Sequence, residues 1–165
     1  MSKITLKGNP INLSGTPPQV GNTAPDFSLV SSNLETISLS GLKGKKILNI
    51  FPSIDTGVCA ASVRQFEKFA TEETNNIIVL NISRDTPFAL ERFCGVEEIG
   101  KTMAASDIFH QFGKDYGIEI TSSPLAHLLA RTVICLDEDN RVIYVEQVPE
   151  ITQEPDYEKA LESLK

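Results

Sequence analysis

Three cysteines, Cys59, Cys94 and Cys135, are the side chains of this 165-residue chain with the most chemistry to offer. Cys59 closes the stretch PSIDTGVC, which runs from Pro52 and separates an apolar, strand-like run from a helix-like one. A cysteine reacts as its thiolate, and a free thiol has a pKa of ~8.5, so a nucleophile useful at neutral pH needs its anion stabilised by about one unit or more. Placement at a helix amino terminus does part of this. Unpaired N–H groups and the helix dipole contribute roughly 0.3–1 kcal/mol there, about 2 kcal/mol when partly buried. One pKa unit is about 1.4 kcal/mol, so the helix alone supplies about a unit at most. A fixed cation is wanted as well.

That cation has to be planted in packed structure, which favours an arginine in a strand over surface lysines. Arg131 opens the run RTVICLD and is expected to reach the carboxyl ends of neighbouring strands, where sites in open α/β sheets gather. Arg64 and Arg92 lie on helical stretches and read as solvated charges. Thr56, three residues before Cys59, can offer its hydroxyl to the same sulfur or to a bound oxygen. Pro52 stiffens the exit from the apolar run and has no N–H to compete, and Gly57 lets backbone approach a small ligand.

The elements that must position these residues are legible as periodicities. KITLK, a turn at Gly8, Asn9 and Pro10, and INLS predict a short amino-terminal hairpin. FSLVSS and TISLS alternate like half-buried strands, whereas ILNIF and IIVLNIS are nearly continuous apolar runs expected of strands covered on both faces. Between the latter two, Cys59, Val63, Phe66 and Ala70 form one stripe of a helix. A strand, helix, strand crossover between parallel neighbours follows. Asp85 or Thr86 caps a second helix, Pro87 suits its first turn, and Gly95 is expected left-handed just past its end, which puts Cys94 in the last turn. DIFHQFGKDYG reads as helical, TVICLD and RVIYVEQV as a hairpin, and EPDYEKALESLK as a terminal helix. This order is that of a thioredoxin-like α/β fold in one domain over 1–165, with a central mixed sheet, flanking helices and an added amino-terminal β-hairpin.

Composition removes several classes of function. With 41% hydrophobic residues the chain can build its own core, and its net charge of −7 has the wrong sign for a phosphate-binding surface, so no nucleic acid partner is expected. The amino terminus lacks the apolar stretch of a secretory signal and no run is long enough to span a bilayer, so a cytoplasmic protein without membrane attachment is expected unless a leader has been removed. An odd cysteine count argues against a structural disulfide framework. The separations of 35 and 41 residues between cysteines, with His110 and His127 far from any of them, do not suit a zinc site. SGLKGKK lacks the spacing of a phosphate loop, and the phenylalanines read as packing rather than a cofactor cage, so neither metal nor cofactor is expected.

The segment fits the Pro-x-x-x-Thr-x-x-Cys motif of peroxiredoxins at Pro52, Thr56 and Cys59, and NIFPSIDTGVCAASVR resembles the thiol peroxidase subfamily, of the atypical two-cysteine type. RFCG around Cys94, Arg131, the ending EPDYEKAL and the overall length agree with it. The resemblance implies Cys59 as the peroxidatic cysteine, Cys94 as the resolving cysteine of the same subunit, Thr56 and Arg131 around a hydroperoxide, a homodimer, and reduction by thioredoxin. Cys135, between Ile134 and Leu136, has no role in that pattern and reads as an inert core thiol. A thioredoxin-type oxidoreductase would carry Cys at position 56, where this chain has Thr. A redox sensor or chaperone-like module switched by Cys59 oxidation is the alternative from a different class.

Overall fold

The computed structural model describes residues 4–72 and 77–165. The amino-terminal hairpin forms as β1 (Ile4–Leu6) and β2 (Asn9–Ile11), in the register Ile4 to Ile11, with Lys7 and Gly8 both at positive φ in the turn between them. Its expected first residue, Lys3, lies outside the described residues. The two alternating segments pair antiparallel as β3 (Ser28–Ser31) and β4 (Thr36–Ser38).

The two apolar runs become β5 (Lys45–Ile50) and β6 (Ile77–Ser83), parallel neighbours joined through helix α1 (Gly57–Glu72). Successive β5 side chains enter different cores, which explains the unbroken apolar text. Leu48 and Ile50 pack with Phe27, Phe112 and Tyr116, while Ile47 packs with Phe66 of α1. On the α1 side, Cys59, Val63 and Phe66 are buried as the stripe predicts. Burying each large apolar side chain of this kind contributes about 1.5–3 kcal/mol, so the stripe holds α1 on the sheet.

Helix α2 (Pro87–Val96) starts where expected, with Thr86 as its cap, but ends later: Gly95 is helical, and the left-handed residue beyond the end is Glu98. The strand β7 (Met103–Ser106), which the alternation of apolar residues did not announce, follows. Its central Ala104 and Ala105 are buried yet too small to give a strong apolar signal. The expected helix in DIFHQFGKDYG is confined to one turn, α3 (Phe112–Asp115), because the Asp107 carboxylate accepts from the N–H groups of Phe112 and Gly113 and starts the helix there. The carboxyl-terminal hairpin is β8 (Thr132–Leu136) with β9 (Val142–Gln147), and α4 (Tyr157–Ser163) is capped by Asp156.

Seven strands form one mixed sheet in the order β4-β3-β7-β6-β5-β8-β9, apart from the small β1-β2 hairpin. The order decides what reaches the Cys59 loop. Because β8 runs antiparallel to β5, pairing Thr132 with Ile50, the start of β8 lies at the carboxyl end of β5. Arg131, just before β8, is thereby delivered to the point where the chain leaves β5 for α1.

Candidate active site

Thr56 stands immediately before α1: its carbonyl accepts from Ala60 N at 3.0 Å and its Oγ1 accepts from Cys59 N at 3.4 Å. It thus caps the helix, which places Cys59 in the first turn among the N–H groups that have no intrahelical partner. The Thr56 hydroxyl donates to the Ser53 carbonyl at 3.1 Å. Pro52 is buried behind this loop, and the Phe51 N–H preceding it is used by Ile82 O at 3.1 Å.

Cys59 is fully buried, with its side chain in a small apolar cluster formed by Phe51, Ile54, Val63, Leu90 and Ala104. Arg131, only 2% exposed, enters from the β8 side and donates from Nη2 to Cys59 Sγ at 3.3 Å. Its Nε donates to Ile151 O at 2.9 Å, which fixes the plane of the guanidinium. Nη1 is buried and has no hydrogen-bond partner among the described residues. A neutral hydrogen bond contributes about 1 kcal/mol, whereas an unpaired buried ion costs several kcal/mol. The contacts to Cys59 Sγ and Ile151 O are therefore what hold this buried cation, and Nη1 is left as a donor without an acceptor among the described residues. Tyr157 lies within electrostatic reach of both groups, and burial together with Glu154 holds its hydroxyl above the usual range.

Cys94 occupies a different setting. It is partly buried at the last turn of α2, against the same apolar cluster as Cys59, and all three cysteines are free thiols. Burial, with the Glu67 carboxylate adding to it, pushes the Cys94 thiol up from its ordinary value. Two contacts hold this end of α2 to α1. Arg64 makes a forked pair with Glu97 at 3.0 and 2.8 Å, with its guanidinium over the Phe93 ring, and Glu67 accepts from the N–H groups of Gly100, Lys101 and Thr102. Arg92 meets Asp55 only at the solvent-exposed surface.

Sequence reading passed over a chain of buried polar side chains beneath Cys59. Glu67 accepts from Thr102 Oγ1, which accepts from Asn81; Asn49 donates to Asn81 and Ser62, and the Ser62 hydroxyl donates to Cys59 O at 2.7 Å. The signal was present, because Asn49 and Asn81 are the polar interruptions of the two apolar runs and parallel pairing sets them side by side. Cys135 is buried with its thiol near Ala160 O, and burial pushes it up to about 12. His127 is exposed and His110 lies at the surface near α3, neither beside Cys59. Among the described residues no group of three or more His, Cys, Asp or Glu side chains gathers as a metal site, and no helix is long and apolar enough to cross a membrane.

Residues 19–161 match the Redoxin family. A curated Thiol peroxidase of Mycobacterium tuberculosis is 48% identical over 165 residues, covering 99% of each chain. Among solved structures, a peroxiredoxin-like protein from Aquifex aeolicus superposes with a TM-score of 0.94 at 33% identity, over 99% of this chain and 96% of that one. A thiol peroxidase from Chromobacterium violaceum, 20% identical over 98% of this chain and 95% of its own, shares the fold with a TM-score of 0.88. Identity of this extent, sustained from end to end around the paired sulfur and guanidinium, makes the chain a member of the Redoxin family and a peroxiredoxin enzyme of the thiol peroxidase kind.

Proposed function

We propose that this chain reduces hydrogen peroxide and organic hydroperoxides through Cys59, resolves the oxidised sulfur with Cys94, and is recycled by thioredoxin. The observation that carries the proposal is the 3.3 Å contact from Arg131 Nη2 to Cys59 Sγ, with the second guanidinium nitrogen buried and unpaired beside it. The thiolate attacks the near oxygen of the hydroperoxide, forming an S–O bond as the O–O bond breaks. Two electrons pass from sulfur to the peroxide, and the far oxygen leaves as water or an alcohol after taking up a proton. Arg131 stabilises the charge that moves onto the oxygens, while Thr56 and Pro52 hold the loop and first helical turn in place. The product is a Cys59 sulfenic acid.

Cys94 then condenses with the sulfenic acid, releasing water and forming an intramolecular disulfide, and a dithiol such as reduced thioredoxin reopens it by exchange. Burial and the Glu67 carboxylate, which push the Cys94 thiol up, favour its protonated form, the one less reactive towards peroxide. Three cysteines, an odd number too few for a disulfide framework, suit a reducing, cytoplasmic compartment. The proposal takes 1–165 as one domain acting in a homodimer, for which the exposed Phe88 and Phe109 offer apolar surface to a second copy.

The test couples peroxide consumption to NADPH oxidation through thioredoxin and its reductase. Cys59→Ser is expected to bring turnover to background. Cys94→Ser is expected to retain a single stoichiometric oxidation and lose thioredoxin-dependent turnover; full turnover in that variant excludes the resolving role.

A further inference from the structure

The sequence left open whether Asp85 or Thr86 caps α2. Thr86 does so, its Oγ1 accepting from Ala89 N at 3.2 Å, and the Asp85 carboxylate is turned away from the helix onto the loop that leads to Cys59. Its Oδ2 accepts from Ile54 N at 2.7 Å and from Ser83 Oγ at 2.6 Å, and its Oδ1 accepts from Ser53 Oγ at 2.8 Å. Hydrogen bonds onto a carboxylate are the strong kind, roughly twice as strong as those between neutral partners. The backbone of Asp85 is itself held, with its carbonyl accepting from Ser106 Oγ of β7.

Ser53 passes the anchoring on. Its hydroxyl accepts from Asp55 N at 3.2 Å, and its carbonyl accepts both Thr56 N at 3.2 Å and Thr56 Oγ1 at 3.1 Å. With its hydrogen committed to Ser53 O, the Thr56 oxygen presents a lone pair to Cys59 N, which is the cap of α1. Ile54, held through its N–H, packs its side chain into the cluster that encloses Cys59. The loop from β5 to α1 is therefore tied by one carboxylate to the crossover from β6 to α2.

We propose that Asp85 is a positioning residue for peroxide reduction: through Ser53 and Ile54 it sets the Thr56 cap and hence the placement of Cys59 Sγ against Arg131. The proposal rests on Cys59 being the sulfur that is oxidised. Because Asp85 precedes the helix that carries Cys94, one anchor serves both cysteine segments. Holding a reacting atom to within a fraction of an ångström is where such an anchor acts on rate without touching the substrate.

The experiment measures the first oxidation by stopped flow, mixing each reduced variant with hydrogen peroxide in a Cys94→Ser background, at a temperature where circular dichroism shows it folded. Asp85→Ala is expected to slow this step about 10- to 100-fold. Asp85→Asn keeps an oxygen for Ile54 N–H and an amide for Ser53, and is expected to recover to within about 5-fold of the parent. Ser53→Ala, which cuts one link, is expected to fall between them. Parental rates in folded Asp85→Ala overturn the proposal, as does an Asp85→Asn as slow as Asp85→Ala. If Asp85→Ala does not fold, Ser53→Ala decides: slower oxidation supports the positioning role and a parental rate overturns it. Cys59→Ser, run alongside, separates the two readings, since oxidation persisting at the parental rate without Cys59 defeats the underlying assignment instead.

Discussion

The surroundings of Cys59 and Cys94 are built on opposite principles. Around Cys59 the sulfur, the preceding cap, the following carbonyl and the facing guanidinium each have a fixed partner, and α1 buries five residues: Cys59, Ala60, Ser62, Val63 and Phe66. Around Cys94 the helix buries only Pro87 and Leu90, and its far end is pinned by a surface ion pair and one carboxylate. A disulfide holds its two Cα atoms within ~7 Å of each other, a demand that the proposed cycle places on these two helix ends. The segment with fewer buried apolar contacts opens at lower cost. In the two-thiol cycle proposed above, one sulfur is thus held for attack and the other is left able to travel.

Arg131→Lys breaks the held half. It keeps a positive charge but loses the planar fork that reaches Ile151 O and Cys59 Sγ together, so the first oxidation is expected to slow about 100- to 1,000-fold, as when a preorganised donor is removed from a reacting site. Stopped-flow oxidation of folded protein reads this directly. A rate equal to the parent would mean that charge alone, without geometry, activates the sulfur.

Glu67→Gln tests the clamp beyond Cys94. Burial works against the Glu67 carboxylate, but the N–H groups of Lys101, Gly100 and Thr102 and the Thr102 hydroxyl outweigh it and hold the group below its usual range. A depressed folded-state value contributes stability above the ordinary carboxylate range, lost as pH falls through the depressed value. The parent is therefore expected to be more stable than Glu67→Gln by about 1 kcal/mol near neutrality, with the gap closing under acid. Thermal unfolding of both proteins from neutral to acidic pH measures it, and a gap independent of pH contradicts the assignment. The same variant is expected to form the disulfide faster.

Glu97→Gln gives the smallest effect. The Arg64 and Glu97 side chains are 49% and 32% exposed, and a pair this open to solvent is screened and contributes little. Disulfide formation after oxidation is expected to quicken about 2- to 3-fold, with the first oxidation unchanged. An unchanged rate of resolution would place the barrier elsewhere than at this end of α2.

Much of this division is readable from residues in line. The motif positions Pro52, Thr56 and Cys59 are close neighbours in the chain, and the α1 stripe repeats at helical spacing, so local geometry brings them together. Arg131 is the intermediate case: its residue type and strand placement suggested an anchored cation, but only antiparallel pairing of β8 with β5 carries it to the sulfur. Asp85 was legible only as a possible cap. Two of its three acceptor contacts come from the loop after β5, which parallel pairing of β5 with β6 sets beside it, and the third from Ser83 two residues earlier. β7 was missed for a related reason, since small alanines between covering layers leave little hydrophobic pattern.

By itself the sequence determined which sulfur sits in a first helical turn, which apolar runs are covered on both faces, and that a proline and a threonine shape the approach. These follow from interactions within a few residues, for which spacing along the chain is spacing in space. Only the tertiary structure decided which guanidinium meets that sulfur, which carboxylate steadies the loop, and how Asn49, Asn81 and Ser62 join beneath it. Those contacts lie between 13 and 72 positions apart in the chain, and their distances are set by strand order and register rather than by any local rule.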